Sequence, residues 1–191
     1  MWAANERFTV QEDSIRLLFH KLCPKHNDIA EVLLKVTVLN DFYNTSIFNT
    51  HAVAKRIVEL NPIDRIADGD TSLVNEVAAV SIGGKERKFY SFASKYCSQH
   101  NPDCFPIYDG LVVKMLSHFR SADGFDEFTR EDLKDYTRFV RVIEAFKEFY
   151  GLGQFSLRWI DRYLWFAGRA AFGRSQPKKL PDTEPGATES E

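Results

Sequence analysis

The residue most able to do chemistry is Asp109. It ends the run Pro106-Ile107-Tyr108-Asp109-Gly110-Leu111-Val112-Val113-Lys114-Met115-Leu116, where an apolar, proline-led approach meets the start of an amphipathic stretch. A helix start gathers unpaired backbone N–H groups and the positive end of the helix dipole, which hold a carboxylate ionised and fixed in direction. A carboxylate so placed either caps its helix or steadies positive charge on a substrate.

Amines and aromatic rings lie upstream. Lys85, Arg87, Lys88 and Lys95 are interleaved with Phe89, Tyr90, Phe92 and Tyr96, after the glycine pair Gly83-Gly84. That pattern suits either a solvated helix face or contacts to phosphates. A polar-aromatic turn, Asn40-Asp41-Phe42-Tyr43-Asn44-Thr45, precedes a further helix, and Tyr163-Leu164-Trp165-Phe166-Ala167-Gly168-Arg169-Ala170-Ala171-Phe172 lies in the last one. His20, His26, His51, His100 and His118 have no metal-binding spacing. Cys23, Cys97 and Cys104 form no CxxC pair, so a structural zinc or iron–sulfur site is not expected and the thiols are read as free. Phosphate-binding, dinucleotide and serine-elbow motifs are absent, which removes kinase, dehydrogenase and hydrolase readings.

The elements that must position these residues read as helices. Ile15, Leu18, Phe19 and Leu22 share one face of a helix ending before Pro24, and Ile29, Val32, Leu33 and Val36 continue in a second, capped by Asp28. Further helices are expected over 46–60, over 73–80 after Asp70-Thr71-Ser72 with Glu76 closing a capping box, over 85–98, from Asp109 to about Phe119, over 130–150, and from Ser156 to about Phe172. The 191 residues, 44% hydrophobic and 14% aromatic, suffice for one domain with a sizeable core. The expectation is an all-α protein with a single helical domain over 1–176 and a disordered tail over 177–191. The tail carries Lys178 and Lys179 against Asp182, Glu184, Glu189 and Glu191, which accounts for the whole formal charge of -2 and leaves a neutral body. No run is long enough to span a bilayer and no signal peptide is evident, so the cytoplasm is expected.

The order of these blocks resembles the helix-hairpin-helix DNA glycosylase superfamily, in its endonuclease III-like branch, over roughly Asp28 to Phe172. In that family a polar turn wedges into the duplex, a helix-hairpin-helix element grips phosphates, an apolar link leads to an aspartate at a helix start, and a later helix carries an apolar-Gly-Arg signature. The resemblance implies a bilobal helical fold with an inner lobe over about 44–119 and excision of a damaged base from double-stranded DNA. It implies Asp109 as the charge-stabilising carboxylate, with DNA contacts from Tyr43, Asn44, Gly83, Gly84, Lys85, Arg87, Lys88 and Lys95. Phe42, Tyr90 and Tyr108 become the base-pocket candidates, with Tyr43 or Asn44 as the wedge. Two departures stand out: the glycine pair lies too far upstream of Asp109 for a simple overlay, and the iron–sulfur cysteines are missing after Phe172. Counting back from Asp109 at the family spacing lands near Tyr90 or Ser91, between Lys88 and Lys95. This favours water as the nucleophile in a monofunctional enzyme, with Lys88 as the amine if the enzyme also cleaves the strand. No cofactor or metal and a monomeric state are expected. The alternative is a nucleic-acid-binding or interaction module that keeps the fold without the reaction.

Overall fold

A computed structural model describes residues 6–173; the tail expected over 177–191 lies outside them. The chain is mostly helical. α1 (Glu6–Leu17) runs on into a π-helical turn, Leu18–Leu22, and is followed by α2 (Ile29–Tyr43), α3 (Thr50–Leu60), α4 (Ile63–Ala67) and α5 (Leu73–Ala78). The strands β1 (Ala79–Ile82) and β2 (Lys85–Lys88) come next, then α6 (Tyr90–His100), α7 (Gly110–Asp123), α8 (Tyr136–Phe149) and α9 (Leu157–Phe172). None of the described helices is long and apolar enough to cross a membrane.

Local chemistry sets the helix starts. The Asp28 carboxylate accepts from the Ala30 and Glu31 N–H groups at 2.8 and 3.2 Å, Asp135 accepts from Arg138 N at 2.8 Å, and Ser156 caps α9 through Trp159 N. Each satisfies donors that the first helical turn leaves unpaired.

Five sequence expectations change. The expected helix over 85–98 is divided: Lys85–Lys88 pairs as an antiparallel strand with Ala79–Ile82, and the helix begins only at Tyr90. Gly83 and Gly84, with φ of 58° and 76°, supply a tight hairpin turn whose twist matches the paired strands, and β-branched Val80 and Ile82 suit the pleat. The polar stretch around Asn40 does not break α2, which continues to Tyr43 and ends at Asn44 in the left-handed region, φ 49°. α3 accordingly starts at Thr50 under an Asn49 cap rather than at Ser46. Glu76 makes no capping box; its carboxylate instead takes the Arg65 guanidinium at 2.6 Å, while Asp70 takes the same guanidinium at 2.8 Å. The expected helix over 130–150 begins only at Tyr136, after a short 3-10 turn over Asp132–Lys134.

One contiguous core joins the helices, from Ile15 and Phe19 through Val36, Ile57, Tyr96 and Phe139 to Leu164. α2 packs on α3, α5 on α6, and α7 on α9. The last of these pairs is close at Gly168, where a Cβ would meet the Leu111 carbonyl oxygen at 2.9 Å. Lys35 lies on the buried stripe of α2 and is fully covered. Its ammonium donates to the Lys25 carbonyl at 2.6 Å and sits 5.6 Å from the Phe19 ring centroid and 5.9 Å from that of Tyr96. Beside it the His26 and His100 rings are 4.2 Å apart, and the Nε2 atom of each is buried without a hydrogen-bond partner.

Candidate functional site

A cavity of about 460 Å³ opens where α1, the end of α2, α6, the 106–109 link, the start of α7 and α9 converge. It is large enough for a nucleobase with its sugar, within the usual range for small-ligand sites. Its lining brings Lys95, Asp109, Tyr43 and Asn44 together with Glu12, Arg158, Asp161 and Arg162, with Phe42, Trp165 and Phe166 among the walls.

Asp109 is half-buried. One of its carboxylate oxygens accepts from Leu111 N at 2.8 Å, so it caps α7 and also faces the cavity. The two roles expected as alternatives are compatible, because a carboxylate has acceptor capacity beyond one N–H.

Lys95 lies on the inner face of α6 and is only 4% exposed. Its ammonium donates to the Ser91 hydroxyl and lies 5.5 Å from the Tyr43 ring centroid. Burial pushes its pKa down to about 8, against the opposing pull of the Asp109 and Asp161 carboxylates. The Ser91 hydroxyl donates to the Tyr108 carbonyl at 3.1 Å, which fixes it as an acceptor toward the amine. Ser94, one turn on, accepts from Tyr108 N at 3.1 Å, so α6 is tied directly to the link that delivers Asp109.

The buried Asp161 carboxylate accepts from Ile107 N at 2.6 Å and pairs with Arg158 at 3.6 Å. Burial pushes its pKa up to about 6, with Arg158 pulling the other way. Arg158 also reaches Glu12 at 3.1 Å, and Arg162 reaches the same carboxylate at 3.5 Å, so α1 is pinned to α9 by a shared charge. The Arg169 guanidinium lies 5.4 Å from the Trp165 ring centroid.

The other sequence candidates divide. Phe42, Tyr43, Asn44 and Lys95 line the cavity with Asp109. Tyr43 is half-buried and accepts from Gln99 Nε2 at 3.0 Å. Tyr90 and Tyr108 lie outside the cavity, packed edge to face at 4.4 Å, with the Tyr90 hydroxyl donating to the Leu133 carbonyl. Lys85, Arg87 and Lys88 are exposed on β2, and Gly83-Gly84 form the hairpin tip. Lys88 is therefore not an amine of this cavity. Sequence reasoning missed Glu12, Arg158, Asp161 and Arg162. The signal for Asp161 was present: it falls on the stripe Leu157, Ile160, Leu164 and Gly168, the buried face of α9. A carboxylate on such a stripe either has a buried partner or faces a cavity. Among the described residues no group of histidine, cysteine, aspartate or glutamate side chains is arranged to hold a metal ion.

An uncharacterized protein of Haemophilus influenzae is 44% identical over 149 residues, which cover 78% of this chain and 71% of the relative. No solved structure matches the chain. The model of the HI_0787 N-terminal domain matches residues 1–104, a segment that contributes Tyr43, Asn44 and Lys95 to the cavity and leaves Asp109 and α9 beyond it. With more than half of its length matched, the chain belongs to the HI_0787 N-terminal domain family.

Proposed function

We propose that the protein is a DNA base-excision glycosylase of the helix-hairpin-helix type, with Asp109 stabilising charge on the sugar and Lys95 acting as the amine nucleophile. A bilobal arrangement with an inner lobe over about 44–119 is part of the same proposal. One observation carries it: a buried amine from α6 and a helix-capping carboxylate from α7 face the same cavity, beside aromatic walls. The burial that lowers the Lys95 pKa to about 8 leaves roughly a tenth of the amine neutral at pH 7, against about one part in a few thousand for an ordinary lysine.

The chemistry follows from that pairing. The target nucleotide leaves the stack and enters the cavity, at a cost of about a few kcal/mol. The Lys95 Nζ lone pair forms a bond to C1′. The N-glycosidic bond breaks with its electron pair passing to the base, which leaves with a proton. Asp109 stabilises the positive charge that develops on the sugar. The proton lost from Nζ passes to the ring oxygen O4′ as the sugar opens to a protonated imine, and β-elimination then removes a C2′ proton and breaks the C3′–O bond, releasing the 3′ phosphate. This replaces the expected water mechanism because Lys95, unlike Lys88, lies in the cavity. Phe48, wholly exposed at 101%, stands a few residues past the cavity-lining Tyr43 and Asn44 and is free to fill the gap left in the duplex. Lys85, Arg87 and Lys88 on the hairpin are the phosphate contacts.

The test is incubation with a panel of damaged-base duplexes, read with and without alkali. The proposal expects strand cleavage at one lesion without alkali, lost in Lys95→Gln and in Asp109→Asn while both variants still bind duplex. Salt-dependent binding with no turnover on any lesion would favour the non-catalytic binding module instead, and no DNA binding at all would exclude both.

A further inference from the structure

A second concavity, of about 470 Å³, lies beside α7 and the end of α9, lined by Lys114, Ser117, His118, Arg120, Arg130 and Phe172 among others. Among the described residues no carboxylate lines it. Several cations elsewhere do meet acids: Arg65 holds Asp70 and Glu76, Arg138 holds Asp126, Arg158 holds Glu12, and Lys134 holds Glu131. Two acids of the adjoining loop are engaged: Asp123 accepts from the Tyr150 hydroxyl and Asp126 pairs with Arg138 at 3.0 Å. Lys114 and Arg130 have no ion pair among the described residues. Arg120 is turned to the Phe128 carbonyl and ring, so its charge is not neutralised either. The His118 ring packs edge to face against Phe172, 6.4 Å between centroids, which ties the two helices at the floor.

Its position relative to Asp109 is fixed by one helix. At about 1.5 Å per residue, Lys114 lies about 8 Å and His118 about 14 Å along α7 from Asp109. α7 is held rigidly to α9 at Gly168, and Arg169 at the first cavity is less than one turn from Phe172 at the second. A DNA strand carries one charge per about 3.4 Å of helix axis, so the concavity is two to four nucleotides from the reacting one.

We propose that this concavity binds a phosphate group, and that its physiological source is the backbone of the nucleic acid whose nucleotide occupies the first cavity. The inference rests on the glycosylase reading for that source but not for the anion site itself. Phosphate oxygens are drawn there by the Lys114 and Arg130 charges, with the His118 ring able to donate a hydrogen bond beside them.

The experiment is fluorescence-anisotropy titration of the full chain with a labelled duplex over a series of salt concentrations, comparing wild type, Lys114→Gln/Arg130→Gln and the charge-conserving Lys114→Arg/Arg130→Lys. Both side chains are exposed and without acid partners, so the fold is retained, and circular dichroism checks this. The slope of log affinity against log salt should fall in magnitude by about 2 in the double Gln variant and be restored in the charge-conserving one. Lys55→Gln, which removes an exposed cation paired to Glu59 on α3, is the control and should leave the slope unchanged. An unchanged slope in the double Gln variant overturns the inference. So does a thermal shift by inorganic phosphate that the double Gln variant loses while its DNA slope stays at the wild-type value, because the site then serves a free anion. If wild type itself shows no salt-dependent DNA binding, the glycosylase reading and the assigned source both fail. The anion site then survives only as a phosphate-dependent thermal shift.

Discussion

Replacing Lys95 by Met should make the protein more stable while removing its chemistry. Lys95 is 4% exposed and burial lowers its pKa from 10.5 to about 8. At 1.36 kcal/mol per pKa unit, holding this ammonium charged in the fold at pH 7 costs about 3 kcal/mol. Met keeps the stem volume and removes the charge. It also forfeits the Ser91 hydrogen bond and the favourable field at Asp109 and Asp161, so the net gain is about 1–3 kcal/mol. For a chain of this length that is a rise of about 2–10 °C in Tm. The gain depends on pH. Between pH 8 and 10.5 the unfolded chain keeps the Lys95 proton while the folded protein gives it up, so wild-type stability rises through that window. Lys95→Met has no such group, and its advantage should shrink toward zero by pH 10.5. Lys35, also lowered to about 8, is present in both proteins and cancels in the difference. Urea denaturation of both proteins at pH 7 and pH 10 measures this. A variant less stable than wild type at both pH values, by the same amount, would refute the desolvated-amine argument.

Burial, followed by the Lys35 charge, holds the His26 pKa down at about 4, so the unfolded state binds the extra proton between about pH 6.5 and 4 and stability falls as pH drops through that window. His26 alone should remove roughly 2 kcal/mol between pH 6.5 and 5, and His26→Gln should flatten that part of a urea-midpoint series. Asn40→Ala should cost about 2 kcal/mol, read as a lower urea midpoint, because its amide bonds the Ile47 carbonyl at 3.0 Å and accepts from Ile47 N and the Thr45 hydroxyl at 2.9 Å. The same latch holds Phe48 past the left-handed residues Asn44 and Ser46, so Phe48→Ala should slow excision from duplex by about tenfold or more and leave single-stranded substrate little affected. Equal loss on both substrates would remove Phe48 from the gap-filling role.

Much of the helical framework was legible because capping and periodicity are local. Asp28, Asp109 and Ser156 mark true helix starts, and the buried stripes of α2, α8 and α9 follow the helical period. The hairpin was not, since a strand with every side chain exposed shows no alternation, and only the paired glycines signalled it. Asp109 stood out because a helix start is written in adjacent residues. The charged wall of the cavity depends on α1 meeting α9, and the Glu12–Arg158 pair joins residues on opposite ends of the chain that no local pattern connects. Lys95 and Asp161 share one lesson: a charge on an apolar stripe marks either a buried partner or a cavity.

The central claim is that the Lys95 amine and the Asp109 carboxylate act on a DNA sugar in one cavity. Borohydride reduction during reaction with the damaged-base panel, followed by peptide mapping of any covalent protein–DNA adduct, tests it most directly. The account predicts an adduct on at least one lesion, mapped to Lys95 and lost in Lys95→Gln. An adduct mapped to Lys88, or excision that proceeds undiminished in Lys95→Gln, would contradict it.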